Sequence, residues 1–369
     1  MSTGVLLAVM VFEVVLIGGL MLLNPRIARR GLLFGVYVGE EAWSGDRARG
    51  LVHGYTVAGL VWMVTCVLAG AVLTGRIPVP VVALAVPMAA IVGFLGIYLW
   101  AYFRSRELAV VGGPPPAAAV LVPGGATSPV LPLVTLLVGT CCGVFAVAYA
   151  AVHYAEMPAL VPTHFGPSGA PDAWRPKGLF TVMMPSLLTL VLGVGTGGLG
   201  FLITRAKRAV RYPAALVSAE AQARFRLAMT RYICVISLLV TGLLTSLSVG
   251  AVQVGLGGAT ALPRTIWVFT GLLLVLAVGG TLYIAIRYGQ GGARLERGAA
   301  SSALTNGLAD NRYWVLGTFY VNRDDPAIMV EHRFGLGYTL NLGNWKAIAL
   351  LVAFLGLVLG LVVIAVVTG

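Results

Sequence analysis

Eight stretches of about 20 almost uncharged residues recur along this chain, a pattern that water-soluble folds do not tolerate. They fall at 5–23, 55–74, 81–103, 132–152, 179–204, 233–256, 266–286 and 347–367. At a rise of 1.5 Å per residue, each is long enough to cross a ~30 Å hydrocarbon core as a helix. Glu13 is the single charged side chain inside them. Only 10% of the residues are charged and 59% are hydrophobic, whereas soluble domains carry about 25% charged residues. The expected fold class is therefore an all-α integral membrane protein. It is a bundle of about eight transmembrane helices, with a small β-hairpin or meander before the last span.

Charge fixes the expected orientation. Of the 25 Lys and Arg residues, 21 lie in the odd-numbered connections between spans and four in the even-numbered ones. The positive-inside rule then puts the odd connections in the cytoplasm and both termini outside, in a cytoplasmic membrane. The first basic residues, Arg26, Arg29 and Arg30, follow the first apolar run, so it reads as an uncleaved helix rather than a signal peptide. The net charge of +12 fits anionic headgroups beside the spans, with no motif for direct nucleic-acid binding. All four cysteines, Cys66, Cys141, Cys142 and Cys234, fall inside spans and form no metal or disulfide pattern. The 48 glycines suit close helix packing, and Gly193 with Gly197 gives a G-x-x-x-G spacing.

Five regions follow: a three-helix membrane region at 1–110 and a flexible loop at 111–131; a membrane core at 132–286 with an outward loop at 153–178; a cytoplasmic linker and β-rich segment at 287–344; and a final span at 345–369. Residues 213–232 read as a helix lying at the interface before the sixth span, with Phe225, Met229 and Tyr232 on one face. The start of 287–344, GQGGARLERGAASSALTNG, reads as flexible linker. The β-former runs beyond it are split by the turn cluster NRDDP, which contains Asp324 and Asp325.

Two places carry candidate chemistry. The outward connection holds His153, Glu156, His164 and Asp172. Imidazole and carboxylate suit zinc, but the spacing matches no known motif. The alternative is that His164 and Asp172 pin a proline-rich loop through bonds to its backbone. The second place is Glu13, an intramembrane acid expected to face the bundle, pair with a polar group such as Gln253, or couple ion movement.

The loop PALVPTHFGPSGAPDAWRPKG resembles the signature P-x-x-(I/V)-P-x-H-F…G-x-P-D-x-W…K of a bacterial membrane domain of unknown function. That domain occurs in SdpI-type proteins, multi-pass immunity proteins against a secreted peptide toxin. The matching residues are Pro158, Pro162, His164, Phe165, Gly169, Pro171, Asp172, Trp174 and Lys177. The stretch RYWVLGTFYVNRDDPAIMVEHRFGLGYTLNLG resembles a second uncharacterised domain through Trp314, Gly317, Tyr320, Asn322, Asp325, Pro326, Gly335, Gly337, Thr339, Asn341 and Gly343. LLFGVYVGEE at 32–41 resembles a motif of the same group. The expected function is that of a non-enzymatic bacterial inner-membrane protein without a cofactor, and the resemblance implies a role in immunity or signalling. Its outer loop would meet a secreted peptide, organised by His164, Phe165, Gly169, Asp172, Trp174 and Lys177. Its cytoplasmic face, with Trp314, Tyr320, Asn322, Asp325 and Asn341, would meet a regulator. The chain departs from that pattern in having more spans and an added cytoplasmic segment. Two alternatives stand beside this reading: a proton- or ion-coupled transporter using Glu13, and a membrane-embedded metalloenzyme built on His153, Glu156, His164 and Asp172.

Overall fold

The computed structural model describes residues 3–110, 128–207, 211–212, 215–295, 303–304 and 310–368. Eight helices in it are long and apolar enough to cross a membrane. They are α1 (Thr3–Ile27), α3 (Asp46–Leu73), α4 (Val79–Arg106), α5 (Val130–Val152), α6 (Leu179–Thr204), α7 (Ala215–Gly255), α8 (Thr265–Arg287) and α9 (Trp345–Thr368); a short α2 (Glu40–Ser44) precedes α3. Their outer faces carry side chains such as Leu84, Val92, Val275 and Val363, all well exposed. Lipid is the solvent in which such continuous apolar faces are stable. The protein is a multi-pass membrane bundle.

The helices sort into two groups. In the first, α1, α3 and α4 pack on one another; in the second, α5, α6 and α7 pack together with α8 against α7 and α9 against α6. Glycine sets the closest approach. A Cβ on Gly139 of α5 would stand 2.7 Å from the Gly193 carbonyl oxygen of α6, and one on Gly197 would stand 2.9 Å from the Leu136 Cα. The G-x-x-x-G spacing is thus a packing device. Across α6 and α7, Thr189 bonds Ser248 and Thr196 bonds Ser237, each at 2.8 Å. These hydroxyls satisfy one another between the helices, the Thr189–Ser248 pair fully buried.

Short antiparallel pairs cap both ends of the bundle. At one end, β3 (Leu160–Phe165) and β4 (Pro171–Pro176) form a hairpin between α5 and α6. At the other lie β1 (Leu32–Leu33) with β2 (Val36–Tyr37), β5 (Arg211–Tyr212) with β6 (Ala303–Leu304), β7 (Trp314–Val315) with β8 (Phe319–Tyr320), and β9 (Met329–Glu331) with β10 (Tyr338–Leu340). The expected β-rich segment before the last span is present.

Two expectations need correcting here. Residues 215–255 form one unbroken helix rather than an interfacial piece followed by a span. Phe225 and Met229 are buried in a cluster with Met329, not laid against lipid. The supposed linker is ordered at its start: Gln290, Gly291 and Gly292 form a buried 3-10 turn. Most of the loop expected at 111–131 lies outside the described residues.

Candidate functional sites at the two ends of the bundle

The hairpin of β3 and β4 begins where α5 ends. Pro162 and Pro171 sit in strands that donate few ladder bonds, so side chains and turns hold the two arms together. Gly169 takes φ +81°, a conformation that favours glycine, and its carbonyl accepts the Leu262 N–H from the α7–α8 connection at 2.9 Å. Lys177 turns back to donate to the Met157 carbonyl at 2.9 Å and lies over the Tyr154 ring. Trp174 is exposed, and Phe165 is partly exposed at the end of β3.

His164 and Asp172 meet across the hairpin, the His164 Nδ1 on the Asp172 Oδ1. The sequence suggested that each pins the backbone; instead they pin each other. Both side chains face solvent, at 71% and 52% exposure. The four-residue metal set does not assemble. His153 caps α5 with its Nδ1 on the Tyr149 carbonyl at 2.9 Å, and no group of three or more His, Cys, Asp or Glu side chains converges among the described residues. Glu13 is half-buried in α1. Its suggested partner Gln253 lies in the other helix group, exposed, with no bond joining the two among the described residues.

The opposite end is more polar and far more buried. Arg29, just beyond α1, is 2% exposed and reaches Glu331 of β9, 7% exposed, at 3.0 Å. The same guanidinium donates to the Gln290 carbonyl at 3.3 Å and the Gly291 carbonyl at 2.7 Å. Gln290 accepts from the Arg29 N–H at 3.2 Å and donates to the His332 carbonyl. Segments more than 260 residues apart are joined in one knot. Two turns meet beside it. Phe34 and Gly35 both take positive φ, as do Leu316 and Gly317, and a Cβ on Gly317 would stand 2.9 Å from the Phe34 carbonyl oxygen. Tyr98, in the last turns of α4, donates to the Leu316 carbonyl at 2.7 Å.

The five residues expected to form a partner-binding face are buried: Trp314, Tyr320, Asn322, Asp325 and Asn341. They hold the unit together instead. Asn341 donates to the carbonyls of Asn322 and Asp325 at 2.9 and 3.0 Å. Asp325 accepts from Lys207 at 2.6 Å and from the Tyr320 hydroxyl at 2.8 Å. Burial alone would raise the Asp325 carboxyl, but Lys207, the Ala327 N–H and Tyr320 together hold it below the usual carboxylate range. His332 is a neutral imidazole: burial pulls it down to about 4, and its Nδ1 accepts the Phe334 N–H. Arg333, packed over the Trp314 ring, is drawn down by burial to about 9 and stays a cation at neutral pH.

This buried unit, a clamp in effect, bonds to both helix groups. Arg29, Gly35 and Tyr98 belong to the first, and Lys207 and Gln290 to the second; they meet Glu331, Arg333, Leu316, Asp325 and His332 of the clamp in turn. Direct contact between the two groups of helices is slight by comparison. None of Arg29, Gln290, Glu331, Arg333 or Lys207 stood out in the sequence. Their one signal is a polar side chain at the edge of an apolar run, where solvation is the ordinary outcome.

Residues 143–189 match the model of a domain of unknown function, DUF1648, and residues 323–348 that of a family of unknown function, DUF5808. The first region spans the end of α5, the hairpin and the start of α6; the second spans β9, β10 and the start of α9. No curated protein and no solved structure matches the chain.

Proposed function

We propose that this chain is a non-enzymatic membrane receptor of the immunity or signalling kind, in which the hairpin senses a peptide outside and the clamp reports to a regulator in the cytoplasm. The observation that carries the reading is α7. Its C-terminal end packs against the hairpin, where a Cβ on Gly255 would stand 3.4 Å from Pro162. Its N-terminal end is built into the clamp: Phe225 stacks near Tyr338, Arg226 donates to the Ala206 carbonyl at 2.6 Å, and Ala221 abuts Gly292. A single rigid rod thus touches both polar ends. A ligand that binds the hairpin differently in two positions of α7 shifts the population of clamp states. The excess of Lys and Arg at the clamp end supports its cytoplasmic placement. The exposed His164–Asp172 pair supplies a polar contact for a peptide, and the resemblance to SdpI-type proteins agrees with that class of ligand. Because the clamp's polar residues are interior, a regulator would contact its outer surface.

The test is a cell challenged with a secreted peptide toxin while a downstream transcript is measured. The double variant His164→Ala, Asp172→Ala is expected to lose both protection and transcriptional response at unchanged membrane abundance. Full retention of both defeats the proposal.

A further inference from the structure

Where the clamp meets the end of α4 there is a cavity of about 480 Å³, a size that accommodates a small ligand or a headgroup. Its side chains include Tyr102, Arg106, Asn311, Arg312, Trp314 and Arg333. Three are arginines, and no carboxylate lines the wall among the described residues. Asp310, the chain neighbour of Asn311, has both oxygens taken by Arg312, at 2.6 to 3.1 Å. The Asn311 carbonyl oxygen accepts from Arg333 at 2.7 Å and from the Tyr37 N–H at 2.9 Å. The one amide oxygen at this wall is therefore occupied, and the wall offers a cation no carboxylate among the described residues. Donors remain. The Arg106 side chain is exposed and makes no ion pair or hydrogen bond among the described residues, and the Trp314 indole N–H is buried without an acceptor. Guanidinium groups favour oxyanions, which they hold by paired hydrogen bonds.

Position narrows the ligand further. Arg106 is the last residue of α4, so the cavity opens at the boundary between hydrocarbon and water. Around it Phe103, Val110 and Val315 expose apolar side chains. A cationic interior beside an apolar rim suits an amphiphile whose charged group enters while its chains stay in the bilayer. We infer that this cavity holds the phosphate group of an anionic lipid headgroup, with Arg106 as the residue that meets it first. The cavity lies at the opposite end from the hairpin, and the inference stands apart from the sensing role. Because the wall combines Gly35 and Arg106 from the first helix group with Arg312 and Arg333 from the clamp, such a lipid would brace the joint between them.

The full chain in nanodiscs provides the test. Phosphatidic acid is titrated into phosphatidylcholine discs and its retention read by native mass spectrometry; glycerol 3-phosphate is titrated separately as the soluble phosphate ester. Wild type is expected to retain phosphatidic acid at least tenfold over phosphatidylcholine, with Arg106→Gln losing that preference and Arg106→Lys keeping part of it. The melting temperature of each variant, measured in phosphatidylcholine alone, separates binding from folding. Equal retention by wild type and Arg106→Gln overturns the inference. Glycerol 3-phosphate binding as tight as the lipid overturns the lipid assignment and makes the site one for soluble phosphate esters.

Discussion

Arg29 shows how much a single side chain can carry when it is buried. Its charge is paired with Glu331 and its remaining donors are spent on the Gln290 and Gly291 carbonyls. Arg29→Met would remove the guanidinium that pairs with the buried Glu331, a change that costs about 3–5 kcal/mol where one partner of a buried pair is removed. Thermal unfolding in detergent measures it, and Arg29→Lys should recover little because one ammonium cannot reproduce the forked geometry. The hairpin pair behaves oppositely. His164 and Asp172 are exposed, so His164→Ala should change stability by less than about 1 kcal/mol. A functional defect in that variant would then report on recognition, not folding. His332 supplies a pH dependence. Its folded value of about 4 lies below the ordinary 6.5, so between these values the unfolded chain binds more protons. Stability is highest above pH 6.5 and falls as the pH drops toward 4, by at most ~3 kcal/mol from this group. A melting-temperature series over that range should flatten in His332→Gln.

At the scale of elements, close approach explains why glycines stand where they do. Gly139→Val would drive a side chain into the Gly193 carbonyl of α6, and overpacking of this kind costs about 1–3 kcal/mol. Gly317→Ala combines a positive φ with a clash against the Phe34 carbonyl and should loosen the clamp by a similar amount, read as faster proteolysis of the 310–344 segment. Spans were plain from the sequence because hydropathy is local: each helix carries its own solvent preference whatever it packs against. The continuity of α7 was not, since Arg224, Arg226 and Arg231 interrupt the apolar run and suggest an interface. In the fold Arg226 turns inward to the Thr204 and Ala206 carbonyls, and Arg224 pairs with Glu220. The hairpin was hidden by its prolines, which argue against strands unless side chains supply the cross-links.

Across the whole molecule, two helix groups share one polar clamp, and one long helix runs from that clamp to the hairpin. Tyr320, Asn322 and Asn341 were visible as distinctive residues but misread as surface, because polarity in a short segment ordinarily signals solvent. Their partners lie across the clamp, and Arg29 finds Gln290 261 residues away, a separation no local pattern encodes. The account stands on mechanical connection through α7. Hydrogen–deuterium exchange of the full chain in nanodiscs tests it, comparing wild type with Gly255→Leu, which adds a bulky side chain where α7 touches Pro162 and Met157. Faster exchange at both the hairpin and residues 329–340 is the result expected. Exchange altered at the hairpin alone, with 329–340 unchanged, would contradict it.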